Sequence, residues 1–271
     1  MKATTNIKKF QSEIRKYYKH HKRDLPWRRT KNPYRILVSE IMLQQTQVSR
    51  VLLKYPEFIK RFPNFRMLAG ASTREVLIAW QGLGYNRRAL ALKKTAEIIV
   101  KKYRGVLPRD IVSLEKLPGI GRSTAGAVLA FAYGIAEPFI ETNIRRVYIH
   151  FFFRHKKKVH DKKILELVAR TLDRKNPREW YWALMDYGSM LGELPKNPNQ
   201  KSIHYVKQSR FVGSDRELRG KILKILLSNG LTFIADIRRH TDESPNRVQK
   251  AIRTLVRDGL VYQKKSGVVV M

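Results

Sequence analysis

Residues 117–125 read LPGIGRSTA. The stretch begins with an apolar residue and a proline, and an isoleucine between two glycines follows. This pattern predicts a tight turn between two helices, because glycine adopts backbone conformations that other residues avoid. The helix that we expect to open at Arg122 would present unpaired amide groups and a positive dipole end, which together bind phosphate. An ordinary helix–helix connection is the alternative interpretation of the same stretch.

A carboxylate follows this turn closely in the chain. Residues 138–146 read PFIETNIRR, so Glu141 lies beside Asn143 and two arginines. A phosphate site with a carboxylate nearby favours chemistry on a nucleic acid over simple attachment to one.

The composition points to the same class of partner. The chain has 56 Lys and Arg against 22 Asp and Glu, a formal net charge of +34, which predicts salt-sensitive attraction to a polyanion. Hydrophobic residues make up 43%, enough for a packed core. No apolar run could span a bilayer and the N-terminus has no signal-peptide pattern, so we expect a cytoplasmic, DNA-associated protein with no membrane partner. The absence of cysteine excludes disulfides and thiolate-held zinc or iron–sulfur sites, and no metal ligand set is predicted.

Helical periodicity dominates the first two thirds of the chain. We expect one long helix over residues 34–55. Another begins near residue 73, where Ser72 is a suitable N-cap and Glu75 follows three residues later.

The last part of the chain has a different pattern. After residue 213 we expect three helices and then two short strands around a turn at residues 264–267, which is the layout of a winged helix. The third helix would offer Arg247 and Lys250 to a DNA groove. A role in packing or dimerisation is the alternative.

A second carboxylate lies in a mostly apolar helical run. Glu40 falls one turn from Ile36 and within a turn of Leu43, so its side chain is expected near the core. An acid desolvated there keeps its proton near neutral pH, although a helix-edge ion pair is the simpler explanation of a single Glu. Residues 44–47, QQTQ, follow directly and suit contacts to base edges, or a solvated helix end.

Two carboxylates and a phosphate site fit the cleavage of an N-glycosidic bond. One acid protonates the leaving base and one carboxylate stabilises the cationic sugar. The target base must first leave the stack.

Four motifs then resemble the helix–hairpin–helix DNA glycosylases, and in particular the MutY-type adenine DNA glycosylases. They are LPWR at 25–28, SEIMLQQT at 39–46, GLGY at 82–85 and LPGIGRSTAGA at 117–127. The resemblance covers about residues 20 to 190, and MLQQT is its most discriminating block. It implies removal of adenine mispaired with guanine or 8-oxoguanine.

The resemblance also implies roles for individual residues. Glu40 matches the family's general acid, and Asn143 matches an active-site Asn beside the second carboxylate, here Glu141. Residues implied to contact DNA are Gln45, Thr46, Leu83, Tyr85, Gly119, Ile120, Gly121, Arg122 and Ser123. Residues implied to line the base pocket are Arg23, Trp27 and Arg28. The hairpin carbonyls are implied as a place for a monovalent cation.

Four positions or segments separate this chain from its relatives. Ser123 stands where bifunctional relatives such as endonuclease III carry a Schiff-base Lys, which predicts a monofunctional enzyme that uses water. Glu141 replaces the family's Asp, and one extra methylene is expected to alter rate or base choice. Residues 192–202 occupy the place of a four-cysteine iron–sulfur loop, and the winged helix replaces a Nudix-like module.

The sequence therefore predicts a mainly α protein with a two-lobed helix–hairpin–helix glycosylase domain at 1–213 and a winged-helix domain at 214–271. We expect Glu40 and Glu141 to face a cleft between the lobes. The expected function is base-excision repair of adenine mispairs in double-stranded DNA by a monomer that needs no cofactor. A thymine or uracil mismatch glycosylase and a non-catalytic lesion- or structure-specific DNA-binding protein are the alternatives.

Overall fold

The computed structural model describes residues 2–207, 210–264 and 267–271 and is mainly helical, as the sequence predicts. The helices are α1 Lys2–His21, α2 Pro33–Leu43, α3 Val48–Arg61, α4 Phe65–Gly70, α5 Thr73–Trp80, α6 Arg87–Tyr103, α7 Ile111–Glu115, α8 Arg122–Val128, α9 Thr142–Phe152, α10 Asp161–Thr171, α11 Pro177–Glu193, α12 Asp215–Asn229, α13 Ile234–Thr241 and α14 Pro245–Arg257. The strands are β1 Val261–Lys264 and β2 Gly267–Val270. Short 3₁₀ turns lie at Pro26–Arg28 and Pro198–Lys201, and α8 continues into a π-turn at Leu129–Tyr133. Within the described ranges, no helix is long and apolar enough to cross a membrane.

The chain divides into two compact units. The first consists of Met1–Glu40, Pro108–Lys116 and Ile120–Lys207, and the second of Ile41–Leu107, Leu117–Gly119 and Gln208–Met271. The chain passes between the units inside α2, after residue 107, on both sides of residues 117–119 in the glycine turn, and after residue 207. The domain boundary expected after residue 213 stays a prediction, since the second unit contains residues from both sides of it.

Aromatic packing forms the core of the first unit, where α9 and α11 pack on each other and α1 packs on α11. The ring of Phe10 lies 5.3 Å from Tyr148 and 5.8 Å from Trp180 between centroids, and all three are buried. Helices α9 and α11 approach closely because Gly188 has no side chain. A Cβ there would lie 2.2 Å from the carbonyl oxygen of Asn143.

Helices α3–α6 form one part of the second unit. Phe58 and Trp80 pack edge to face at 5.8 Å in its core. The predicted start of α5 is confirmed as a capping box, in which the Ser72 hydroxyl accepts from the Glu75 amide and the Glu75 carboxylate accepts from the Ser72 amide.

The prediction of one long helix over residues 34–55 is wrong. Helix α2 ends at Leu43 and α3 begins at Val48, and Gln45 has a left-handed backbone with φ 54°. The interruption has a specific cause. The Arg88 guanidinium donates to the carbonyl oxygens of Ile41 and Met42 at 2.8 and 2.9 Å and so terminates α2.

The winged-helix layout at the C-terminal end is confirmed. Helix α12 begins after Ser214, whose hydroxyl accepts from the Glu217 amide. Strands β1 and β2 pair antiparallel with Val261 opposite Val270. The turn expected at 264–267 includes residues 265 and 266, which lie outside the described residues.

Candidate active site

Glu141 begins helix α9 as its N-cap. Its Oε1 accepts from the backbone amides of Asn143 and Ile144, both at 2.8 Å. Burial raises the pKa of Glu141. These amides and the nearby charge of Arg146 lower it in part, and the pKa stays above its usual value. The site therefore holds a desolvated carboxylate that receives hydrogen bonds at the positive end of a helix dipole.

A chain of side-chain hydrogen bonds extends from this carboxylate. Asn143 Nδ2 donates to Glu141 Oε2 at 3.2 Å, and Arg146 Nη1 donates to Asn143 Oδ1 at 2.7 Å. The Arg146 Nε also donates to Asn197 Oδ1 at 3.2 Å. Arg146 donates to the Oδ1 of the Asn143 side chain and so fixes that atom as the acceptor. Asn143 therefore presents its NH₂ group to the Glu141 carboxylate.

Glu40 is the second carboxyl group predicted for the site, and it also belongs to the first unit. Desolvation and, after it, the negative charge of Glu141 raise its pKa, Arg28 lowers it in part, and the net pKa is about 8. In the part of the chain that the structure describes, no hydrogen bond to the Glu40 carboxyl offsets this desolvation. The charge of Glu141 acts on the pKa of Glu40, so the two carboxyl groups lie near each other in the first unit. Their expected position in a cleft between lobes stays a prediction.

The predicted base-pocket arginines are engaged in a buried ion-pair cluster. Arg28 makes a two-pronged contact with Asp186, at 2.7 and 2.8 Å, and Arg23 Nε donates to the same carboxylate at 2.6 Å. Burial alone would raise the pKa of Asp186, but the bonds and charge of Arg28, followed by those of Arg23, bring it below its usual value. Trp27 is buried beside them in the chain. The cluster fixes the LPWR motif in place.

The polar block after α2 and the GLGY motif form one structure in the second unit. Arg88 Nη2 donates to the Thr46 hydroxyl at 2.9 Å and to the Leu83 carbonyl at 3.2 Å. Desolvation lowers the pKa of Arg88 to about 10, still far above neutrality. Gln45 and Tyr85 both have left-handed backbones, with φ 54° and 47°. Side chains predicted to contact DNA are thus carried on two strained turns held by the half-buried guanidinium of Arg88.

The glycine turn has the predicted form. Gly119 has φ 76°, and a Cβ there would lie 2.9 Å from the Ala91 methyl, so the position needs glycine. The Gly119 carbonyl accepts from Gln44 Nε2 at 3.1 Å. Gly121 is the N-cap of α8, and Ser123 lies in the first turn of that helix.

Comparison with known proteins identifies the family. Residues 38–172 match the family model described as HhH-GPD superfamily base excision DNA repair protein. The chain is 36% identical to an adenine DNA glycosylase of Mycolicibacterium smegmatis, over 94% of this chain and 93% of that protein. The chain belongs to the HhH-GPD superfamily.

Two further proteins show the range of similarity. An adenine DNA glycosylase of Buchnera aphidicola is 38% identical over 72% of this chain, which spans only 55% of that relative's length. The solved structure of a thermostable thymine-DNA glycosylase superposes with a TM-score of 0.65 at 27% identity, covering 74% of this chain and 94% of that one.

The residues of this HhH-GPD chain do not fit a thiolate-held iron–sulfur cluster, because the sequence has no cysteine. The segment in that place is held by polar contacts. Asn197 Oδ1 accepts from the Asn199 amide at 3.0 Å, and the Val159 amide donates to the Lys201 carbonyl at 2.8 Å. Within residues 2–207, 210–264 and 267–271, no His, Asp and Glu side chains group as a metal site. The monovalent cation at the hairpin stays a prediction.

The basic side chains predicted for the winged helix lie against acidic neighbours. Arg247 Nη1 pairs with Glu243 at 2.6 Å, and Lys250 pairs with Asp215 at 3.1 Å. These ion pairs compete with phosphate for the same groups, so the DNA contacts of Arg247 and Lys250 stay predictions.

Sequence reasoning missed Asp186 and Arg88, and it noted Arg146 only as one of the two arginines beside Glu141. Asp186 interrupts the apolar run of α11 as Glu40 interrupts α2, so the same argument could have found it. Nothing in the sequence distinguishes Arg88 from its neighbour Arg87, because the distinction arises from burial.

Proposed function

We propose that the protein is a monofunctional DNA glycosylase that removes adenine mispaired with guanine or 8-oxoguanine. The observation that carries the proposal is the pair of carboxyls in the first unit, whose environments differ in the way that acid–base roles require. Glu40 is desolvated and has its pKa at about 8, so it is protonated at neutral pH. The Glu141 carboxylate accepts hydrogen bonds from two backbone amides and one side-chain amide.

The geometry supports the following reaction. Glu40 donates its proton to a ring nitrogen of the extruded adenine, and the N-glycosidic bond breaks with its electron pair leaving on the base. The carboxylate of Glu141 stabilises the cationic sugar, and a water molecule adds to the anomeric carbon. The proton lost by that water passes to a carboxylate, which leaves free adenine and an abasic site. Ser123 has no amine, so no Schiff base forms there and the strand is not cut.

The comparisons support adenine as the base, since an adenine DNA glycosylase aligns with nearly the whole chain. The chain spans about half of the Buchnera relative, so activity, substrate and partners of the whole protein are part of the proposal. We further propose that the protein acts as a cytoplasmic monomer on mismatched duplex DNA without a cofactor.

A panel of duplexes with one central mismatch tests the proposal. Adenine opposite guanine, adenine opposite 8-oxoguanine, and thymine or uracil opposite guanine are incubated with enzyme, and released base is quantified. Alkali treatment then reveals abasic sites, whereas strand breaks before alkali would indicate lyase activity. Release of adenine without breaks is expected.

The second candidate is a thymine or uracil mismatch glycosylase. The similarity to the thermostable thymine-DNA glycosylase structure favours it. Release of pyrimidine but not adenine in the same panel would select this candidate.

A further inference from the structure

A buried guanidinium lies near the Glu40 carboxyl without being bonded to it. The charge of Arg28 acts on Glu40, and the Arg28 side chain is only 7% exposed. In the part of the chain that the structure describes, no hydrogen bond or ion pair joins the two groups. An opposite charge within about 4–6 Å favours the ionised form of an acid. A guanidinium that was free to turn toward Glu40 would therefore favour loss of its proton.

Asp186 occupies both prongs of this guanidinium. Arg28 Nη1 donates to Asp186 Oδ2 at 2.8 Å, and Arg28 Nη2 donates to Asp186 Oδ1 at 2.7 Å. The Asp186 side chain is 2% exposed, so salt in the solvent screens the pair little. A two-pronged contact fixes orientation as well as distance. The pair therefore neutralises Arg28 and directs its donors at Asp186.

The ring of Trp182 is a second restraint on Arg28. Trp182 is half-buried, and its centroid lies 5.3 Å from the guanidinium carbon of Arg28 and 4.5 Å from that of Arg178. Arg178 Nη2 also donates to the backbone carbonyls of Arg28, at 3.2 Å, and Thr30. Phe131 packs on the same indole at 5.7 Å between centroids. A guanidinium held against this ring and bonded to Asp186 has little freedom to rotate toward Glu40.

The charges around the cluster come from several elements. The charged and titratable side chains near Arg28 or Glu40 are those of Tyr18, Arg23, Glu141, Arg178 and Asp186. Glu141 is the other charge that acts on Glu40, and it raises the Glu40 pKa. Arg23 Nε donates to Asp186 at 2.6 Å, so Asp186 keeps a basic partner when Arg28 is replaced.

We propose that Asp186 and Trp182 are positioning residues, which hold the Arg28 guanidinium away from the Glu40 carboxyl and so keep on Glu40 the proton that adenine release needs. The inference rests on the proposed function for the use of that proton, but not for its presence. A change at either residue acts through Arg28, whose charge then reaches Glu40 and favours the carboxylate.

Carbon-13 NMR of protein labelled at the glutamate carboxyl carbon tests this without DNA. The Glu40 signal is assigned by its loss in Glu40→Gln, and its midpoint in the wild type is expected at about pH 8. Asp186→Asn keeps the shape of the side chain but removes its charge, so the midpoint should fall to about pH 7 or below. Trp182→Leu changes no charge and should move the midpoint in the same direction by less, because Asp186 still holds both prongs.

Two controls separate the action of Arg28 from other effects. Arg28→Gln should raise the midpoint above that of the wild type, and adding Asp186→Asn to it should cause no further change. Trp180→Phe alters a buried tryptophan whose ring packs on Phe10 at 5.8 Å, and it should leave the midpoint unchanged. Thermal melting verifies that each variant is folded. If Asp186→Asn does not fold, Trp182→Leu and Arg28→Gln still test the restraint.

Three results would overturn the proposal: a wild-type Glu40 that titrates below pH 7, an unchanged midpoint in Asp186→Asn or in Trp182→Leu, or a shift in Asp186→Asn that persists when Arg28 is replaced. The last would assign the shift to the charge of Asp186 itself.

Excision rates are a separate readout. The rate at pH 8 relative to that at pH 6 should fall by about fivefold in Asp186→Asn, because less of the Glu40 carboxyl is protonated at pH 8. A protein that shows the expected NMR midpoints but releases no adenine would contradict the proposed function and support the positioning role of Asp186 and Trp182.

Discussion

Asn143 holds the Glu141 carboxylate from two directions, with its backbone amide 2.8 Å from Oε1 and its side-chain amide 3.2 Å from Oε2. The same carboxylate caps α9, so its charge and its structural contact have to be separated by experiment. Glu141→Gln keeps an oxygen acceptor for the amides but removes the charge. We expect it to lower the melting temperature by about 2–4 °C, since Oε1 still caps α9 while the new Gln NH₂ faces the Asn143 NH₂, and to lose on the order of a hundredfold in single-turnover adenine release.

Glu141→Asp is the matched comparison. Asp is a preferred N-cap residue, so we expect stability to be unchanged or raised and excision to be retained or faster. A Glu141→Gln protein that excises adenine at more than a tenth of the wild-type rate would show that Glu141 only caps the helix.

Glu40 sets the predicted pH dependence of catalysis. Its pKa is raised to about 8 by burial, and general acid catalysis needs the protonated form. Single-turnover rates should therefore fall by about tenfold between pH 7 and pH 9, and they should fall on the acid side as Glu141 takes up a proton. Glu40→Gln should lose about 10²- to 10⁴-fold in rate and show no alkaline limb. An unchanged alkaline limb in Glu40→Gln would assign it to another group.

The same group makes a prediction for stability. The Glu40 carboxyl titrates near 4.5 when unfolded and at about 8 when folded, so the folded state binds the extra proton between these values. Its contribution to stability is complete below pH 4.5 and is lost as pH rises through 8. Glu40→Gln has no such loss, so urea denaturation should find it more stable than wild type at pH 9 and nearly equal at pH 4.5. The opposite order at pH 9 would mean that the charged carboxyl is favourably paired.

Much of this architecture could be predicted from local patterns in the chain. The glycine turn, the capping box at Ser72 and the winged helix depend on interactions within a few residues, and the sequence displays those. The break in the helix expected over residues 34–55 could not be predicted locally, since Arg88, more than 40 residues away in sequence, ends α2. The sequence identified Glu141 as a candidate carboxylate. Its role as the N-cap of α9 depends on how its side chain, which is one methylene longer than that of Asp, turns back toward the backbone amides.

Arg88 is expected to stabilise the two turns that carry Gln45 and Tyr85. Removing it leaves the carbonyls of Ile41, Met42 and other turn residues without their donor, so Arg88→Met should cost about 3 kcal/mol or more in urea denaturation. Arg87→Met removes an exposed neighbour of the same length and should change stability by less than about 0.5 kcal/mol. Similar losses in the two variants would contradict the role given to Arg88.

Gly188 sets the spacing between α11 and the start of α9, and therefore the position of the carboxylate site. Any Cβ at Gly188 would lie 2.2 Å from the Asn143 carbonyl oxygen, which is backbone and cannot move aside alone. We expect Gly188→Ala to lose about 1–3 kcal/mol of stability by overpacking. It should also lose on the order of a hundredfold in excision rate, because a displacement near 1 Å misaligns Glu141. Gly220→Ala in α12 is the control, since a Cβ there meets nothing within 4 Å and should stabilise its helix by roughly 0.5–1 kcal/mol. Rates measured well below each variant's melting temperature separate misalignment from unfolding. A Gly188→Ala enzyme with a wild-type rate under those conditions would show that the site tolerates a shift of α9.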